Sequence, residues 1–280
     1  MRRVNCEYVS FGQTDQFSAE CVPHYENAIE STQSAGKRIR AMILCHPHNP
    51  LGKCYTKDAI IGIMKLCNTH KIHLIVDEIY ALSVYDVPDK DAVPFTSALS
   101  LPTDEYIDPQ YLHHLYGFSK DFAASGIRMG CIYTRNDDLR RAMAACSPFT
   151  WSGNVNERIA ALLLEDQIHL EKFLALSRKR LSANNVLARK LLDKNEIGYF
   201  KGSNAGFFLW IDLRQWLGKD QEDKGGNEEK EWAAEDKLTG RLIEGGVYVT
   251  NGKELSAEEP GWYRLIFAQD PNAVEEGVKR

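Results

Sequence analysis

The sequence predicts an α/β protein, and three observations carry that expectation. Two apolar runs, at 40–45 and 72–76, flank a stretch of helical periodicity, which makes a strand-helix-strand unit. A third apolar run, Leu112 to Phe118, adds a further strand. From Thr150 the pattern changes to long helical segments followed by an aromatic strand, which divides the chain into residues 1–150 and 151–280.

Taken in order, Tyr8 to Phe11 is expected as a short strand, and Pro23 to Thr32 as a helix from the apolar spacing of Val22, Tyr25, Ala28 and Ile29. Arg40 to Cys45 has the length of a strand. His46-Pro47-His48-Asn49-Pro50-Leu51-Gly52 must then be a loop, because two prolines and a glycine deny it regular structure. Thr56 to His70 places Ala59, Ile60, Ile63, Met64 and Cys67 on one helical face, and Ile72 to Val76 is continuously apolar, as in a strand buried on both faces. Such a crossover is right-handed in nearly all cases and leaves its strands parallel. Parallel strands align their carboxyl ends, so Asn49, Asp77-Glu78 and Ser119-Lys120 are expected on one rim, where open α/β sheets bind ligands. Beyond Thr150, Val155 to Leu164 and Ile168 to Leu192 read as helices, the second linking two domains. Tyr199 to Leu213 reads as a turn feeding an aromatic strand, and Lys219 to Glu231 as a solvated insertion rich in glycine and charge. Trp232 to Glu244 reads as a helix, with strands at Gly246 to Thr250 and Trp262 to Phe267.

The 280 residues are 44% hydrophobic and 26% charged, an ordinary globular composition able to bury a sizeable core. No apolar run approaches the ~20 residues that span a bilayer. A net charge of −5 gives no global attraction to nucleic acid or anionic membrane. Seven scattered cysteines with no Cys-x-x-Cys pair argue for reduced thiols over a zinc site or a disulfide framework. Met1-Arg2-Arg3-Val4-Asn5-Cys6 lacks the apolar core of a signal peptide, so the expected compartment is the cytoplasm.

The chemistry concentrates at Ser119-Lys120-Asp121-Phe122 and Ser125-Gly126-Ile127-Arg128-Met129-Gly130. A lysine directly after a buried strand is placed for Schiff-base formation, because desolvation or a neighbouring cation lowers its pKa and makes it nucleophilic. Arg128 supplies such a cation, its planar fork suits a phosphate, and Ser119 adds a hydroxyl. Together these groups describe a phosphorylated aldehyde cofactor.

These motifs resemble the lysine segment of fold-type I pyridoxal-phosphate enzymes, and within them the aminotransferases close to 1-aminocyclopropane-1-carboxylate (ACC) synthase. The resemblance implies that Lys120 holds pyridoxal 5'-phosphate as an aldimine, with Ser119 and Arg128 on the phosphate. It extends to Asn-Pro-Leu-Gly, which implies Asn49 near the cofactor's phenolic oxygen, and to Val-Asp-Glu-Ile-Tyr, which implies Asp77 under the pyridine nitrogen and Tyr80 beside that oxygen. Glu259-Pro260-Gly261-Trp262-Tyr263-Arg264 resembles the segment that binds a substrate carboxylate, through Arg264. The implied fold is a large domain with a mainly parallel sheet and flanking helices, N-terminally truncated, over residues 1–150, then linking helices and a C-terminal α+β small domain over 151–280. The implied activity is on an amino-acid substrate, by transamination or by ACC synthase-like α,γ-elimination, in a homodimer. One departure is Gly117, where many relatives carry Ser or Thr. Relatives also carry a long segment upstream of residue 1, with a phosphate-binding loop and a ring-stacking aromatic. Without it the chain is expected to expose apolar surface around Ile72 to Val76 and to bind cofactor weakly. The alternative function is a catalytically impaired or inactive remnant.

Other patterns are weaker. Val-Asp-Glu also resembles the metal carboxylate of a nucleotide hydrolase, but no Gly-x-x-x-x-Gly-Lys-[Ser/Thr] accompanies it. The pairs His46/His48 and His70/His73 lack a matching carboxylate or thiolate cluster, so no metal site is expected. His113 and His114 point to opposite faces of their strand and are expected to be structural.

Overall fold

The computed structural model describes residues 4–218 and 228–280, the backbone alone at 228–231. The chain forms two compact units. The first comprises residues 1–48, 53–82 and 93–173, and the second comprises 49–52, 83–92 and 174–280.

In the first unit α1 (Val22–Ser34) begins with a proline in its first turn, where a missing N–H costs nothing. β1 (Ala41–Cys45) leads to α2 (Lys57–His70), whose N-cap Thr56 accepts the Ala59 N–H at 3.2 Å and which buries Ala59, Ile60, Ile63, Met64 and Cys67. β2 (His73–Asp77) and β3 (Leu112–Gly117) follow, then β4 (Gly130–Thr134), α3 (Asp137–Cys146), α4 (Asn154–Glu165) and α5 (Gln167–Lys194). The sheet order is β1-β2-β3-β4, with β1, β2 and β3 parallel and β4 antiparallel to β3. The βαβ unit is therefore present, and α2 packs on β2.

In the second unit β5 (Gly198–Tyr199), β6 (Phe208–Asp212), β7 (Thr250–Asn251) and β8 (Trp262–Ile266) form an antiparallel sheet in the order β5-β6-β8-β7. The later part of α5, α6 (Glu228–Glu244) and α7 (Pro271–Lys279) supply the helices. Leu192, Leu209, Tyr263, Phe267 and Val274 belong to one buried core that also contains Tyr85.

Several sequence expectations are corrected. Tyr8 to Phe11 is not a strand: no neighbouring strand pairs with it, Tyr8 is exposed, and Phe11 O instead closes a turn by accepting the Thr14 N–H at 2.9 Å. The strand expected from Gly246 is confined to Thr250–Asn251, because Gly246 sits at φ +78° in the turn that ends α6. The expected insertion at Lys219 to Glu231 lies outside the described residues up to 227, and 228–231 already belong to α6. The apolar exposure expected around Ile72 to Val76 falls on one face of the sheet: Ile72, Leu74 and Val76 are buried, whereas Ile75 on the opposite face is half-buried beside its partner Ile43 on β1, which is 71% exposed. β4 and α3 lie in stretches to which the sequence patterns gave no element.

Candidate active site

Asp77 is the last residue of β2 and pairs with Leu115, two residues before β3 ends at Gly117. Phe118, Ser119 and Lys120 therefore emerge just past the rim on which Asp77 lies. Lys120 Nζ stands 6.0 Å from the ring centre of the buried Tyr80. Asp77 Oδ1 accepts the Ile79 N–H at 3.1 Å. Burial raises the Asp77 carboxyl above its ordinary value, against the pull of the Ile79 bond and of the nearby His114 and Lys120. The next residue behaves oppositely. Burial would raise Glu78 too, but His114 Nε2 at 2.8 Å and the Ala98 N–H at 2.7 Å hold it below the usual carboxylate range.

The loop after β3 is a tight hook. Ala123 N–H donates to Lys120 O at 3.0 Å, and Ala124 N–H to Phe118 O at 3.2 Å. Ser119 is partly buried, and Arg128 is exposed at φ +55°, with Nη1 donating to Ser125 O at 3.0 Å. The glycine at 117 has a local cause: a Cβ there would lie 3.0 Å from Met129 O and 3.2 Å from Gly130 Cα, where β4 crosses closest. A serine or threonine hydroxyl at 117 requires β4 to give way.

The second unit carries the other two predicted residues, and it brings them together. Arg264 on β8 donates from Nη1 to Asn49 Oδ1 at 2.9 Å and from Nη2 to Thr250 Oγ1 at 3.3 Å, with its guanidinium 5.6 Å from the Phe208 ring centre. Its Nε is buried and, among the described residues, has no acceptor. A planar fork with a donor unused suits a carboxylate. The loop bearing Asn49 is fixed by Gly52, whose carbonyl accepts the N–H groups of Asn204 and Ala205 at 2.8 and 2.9 Å. Gly52 has φ +64°, and an added Cβ would come within 2.4 Å of Ser203 Oγ, so only glycine fits.

The donor set in the first unit, an amine, a half-buried carboxylate, a phenol, a hydroxyl and a guanidinium, fits a phosphorylated pyridine aldehyde. Sequence reasoning assigned no role to Asp121, whose buried carboxylate braces the Lys120 loop, or to Thr250, which accepts from Arg264. An aspartate beside a lysine reads as surface charge, and a threonine in a two-residue strand gives no signal. His113 and His114 are structural: His113 bonds Thr134 Oγ1 at 2.7 Å and His73 at 2.9 Å. Among the described residues no group of His, Cys, Asp or Glu is arranged to hold a metal ion, and no helix is long and apolar enough to cross a membrane.

The family model for aminotransferase class I and II matches residues 2–280. The chain is 32% identical over 260 residues to 1-aminocyclopropane-1-carboxylate synthase-like protein 1 of Mus musculus, covering 92% of this chain and 48% of that protein. It is 35% identical over 258 residues to 1-aminocyclopropane-1-carboxylate synthase 2 of Cucurbita pepo, covering 91% and 49%. It is also 32% identical over 243 residues to a mouse protein named probable inactive 1-aminocyclopropane-1-carboxylate synthase-like protein 2, covering 86% and 39%. The chain thus spans about half the length of the first two of these relatives. Among solved structures, a double mutant of Thermus thermophilus aspartate aminotransferase superposes with a TM-score of 0.73 at 20% identity, over 92% of this chain and 58% of that one, a likeness of fold.

Proposed function

The chain belongs to the class I and II aminotransferase family, and from that premise we propose that it binds pyridoxal phosphate at Lys120 and acts on the amino group or α-carbon of an amino acid. The observation that carries this reading is the juxtaposition of Lys120 with the buried Tyr80 and with Asp77 at the end of the neighbouring strand. When bound, the cofactor supplies an aldehyde carbon that captures an amine and a protonated ring that withdraws electrons from the substrate α-carbon. Lys120 would hold the cofactor and, as a neutral amine, would take the α-proton of the substrate. Asp77 keeps the ring nitrogen protonated, Tyr80 donates toward the phenolic oxygen, and Ser119 and Arg128 bind the phosphate. Arg264 grips the substrate carboxylate with the fork that Asn49 orients. Transamination is proposed ahead of α,γ-elimination. Residues 1–150 are assigned to the large domain and 151–280 to linking helices and the C-terminal small domain, in a homodimer.

A second reading, a catalytically impaired or inactive member of the family, is favoured by the name of the probable inactive relative. One experiment separates them. The chain is incubated with pyridoxal phosphate, its absorbance is recorded, borohydride is added, and the modified peptide is sequenced by mass spectrometry. Cofactor trapped on Lys120 together with turnover of any amino acid supports the enzyme. Trapping without turnover supports the inactive form, and trapping elsewhere or nowhere refutes Lys120 as the cofactor lysine.

A further inference from the structure

Asp121 is 4% exposed although it is ionisable and sits in a loop. Its Oδ2 accepts the Tyr116 hydroxyl at 2.9 Å and the Leu82 N–H at 2.9 Å. The first bond ties the loop back to β3, and the second ties it to the segment after β2 that carries Tyr80. On either side Phe118 and Phe122 are buried with ring centres 4.9 Å apart, and Phe122 stacks on Phe173 at 6.2 Å. Lys120 is thus a half-exposed residue in a stretch whose neighbours are anchored inward. Of those anchors, Asp121 joins the loop to the Tyr80 segment by a direct hydrogen bond.

We propose that Asp121 is a positioning residue for Lys120: by bridging Tyr116 and the Leu82 amide it fixes the span between the two strand ends and holds the lysine amine against the Tyr80 ring. The inference rests on the assignment of Lys120 as the cofactor lysine, but its geometry concerns this chain's own residues. A carboxylate accepting two donors in one place is hard to replace by a shorter side chain, because both part-buried donors lose this acceptor. Asparagine keeps an oxygen at the same reach.

The test measures how readily Lys120 is acylated by trace acetic anhydride in the full 280-residue chain without cofactor, relative to the exposed Lys57, by peptide mass spectrometry, with circular dichroism as the control for folding. In Asp121→Ala, which removes both bonds, the ratio of Lys120 to Lys57 labelling should rise by roughly tenfold or more, since each lost hydrogen bond to a charged group allows about tenfold in a local opening equilibrium. Asp121→Asn should restore it, and Tyr116→Phe, which removes one bond, should fall between. An unchanged ratio in folded Asp121→Ala, or an Asn variant as altered as the Ala variant, overturns the proposal. If Asp121→Ala does not fold, Tyr116→Phe decides alone, and a wild-type ratio there refutes the bridge. Borohydride trapping is run on the same samples. Failure to trap cofactor on wild-type Lys120 would refute the cofactor assignment and leave the labelling result standing.

Discussion

Asp77 in the first unit and Asp89 in the second are both aspartates that folding desolvates, and they come to opposite ends. Asp89 Oδ2 accepts from Arg189 Nη1 at 2.5 Å and from the Gly202 N–H at 2.8 Å, and Oδ1 accepts the Asp91 N–H at 3.0 Å. Burial would raise its carboxyl, but these bonds hold it below its ordinary value. Asp77 accepts one backbone N–H, and for it burial prevails. The difference lies in hydrogen bonds received. A carboxylate whose acceptor sites are filled by the fold is a structural tie, and one left with capacity and a raised pKa is available to a ligand.

The largest effect should come from Lys120. Lys120→Ala is expected to abolish covalent cofactor capture and turnover altogether, and equal borohydride-trapped cofactor in wild type and variant would remove Lys120 from the site. Next in size is the structural pair. Arg189 and Asp89 side chains are 10% and 7% exposed, so Asp89→Ala strands a buried guanidinium and should cost about 3–5 kcal/mol of stability. Urea midpoints that coincide for the two proteins would show Asp89 to be no tie at all.

How far this contrast was legible in the sequence differs between the two aspartates. Asp77 follows a continuous apolar run, so strand periodicity placed it at a carboxyl rim, and the parallel β1-β2-β3 pairing agrees. Asp89 lies between Pro88 and Lys90 in a loop, and its partners at 189 and 202 come from α5 and the turn after β5. Nothing local announces a contact one hundred residues distant. The same holds for Asn49 and Arg264: each motif could be read, but their hydrogen bond belongs to the fold. β4 went unread because Gly130-Cys131-Ile132 is too short and mixed to form an apolar run, its first two residues are exposed, and the strand is defined by its pairing to β3.

Asp77→Asn sharpens the contrast, since activity and stability should move in opposite directions. A neutral amide cannot hold a ring nitrogen protonated, and losing a charge-assisted bond of about 1.5–3 kcal/mol should cut turnover roughly 10- to 150-fold. The melting temperature should not fall, because the variant removes a charge that burial disfavours. Equal turnover, or a clear drop in melting temperature, would place Asp77 among the structural ties. Arg264→Lys is a smaller change in kind, exchanging a fork for a point charge. It should weaken amino-acid binding by up to about 1.5–3 kcal/mol while leaving cofactor affinity unchanged. Superimposable amino-acid titrations of the cofactor spectrum would exclude Arg264 as the carboxylate ligand.

The smallest expected effect, and the one that tests the comparison most directly, is the pH dependence of stability, because the two carboxylates carry opposite signs. Asp89 is lowered in the fold, so its stabilising contribution is fully present above the unfolded value of ~3.9 and is lost as pH falls through the lower folded value. Asp77 is raised, so its ionised form destabilises the fold above its folded value, and that cost fades as pH falls from there through ~3.9. The unfolding free energy of Asp77→Asn minus wild type should therefore be positive at neutral pH and shrink on acidification from above ~4. For Asp89→Asn the difference should be negative at neutral pH and should shrink only below ~4, because only there does wild-type Asp89 take up the proton that makes it resemble the amide. Denaturant melts of the three proteins from pH 7 to 3 supply both curves. Differences of the same sign, or a difference for Asp77 that closes at the lower pH of the two, would mean that hydrogen bonds received do not separate the ligand-facing aspartate from the structural one.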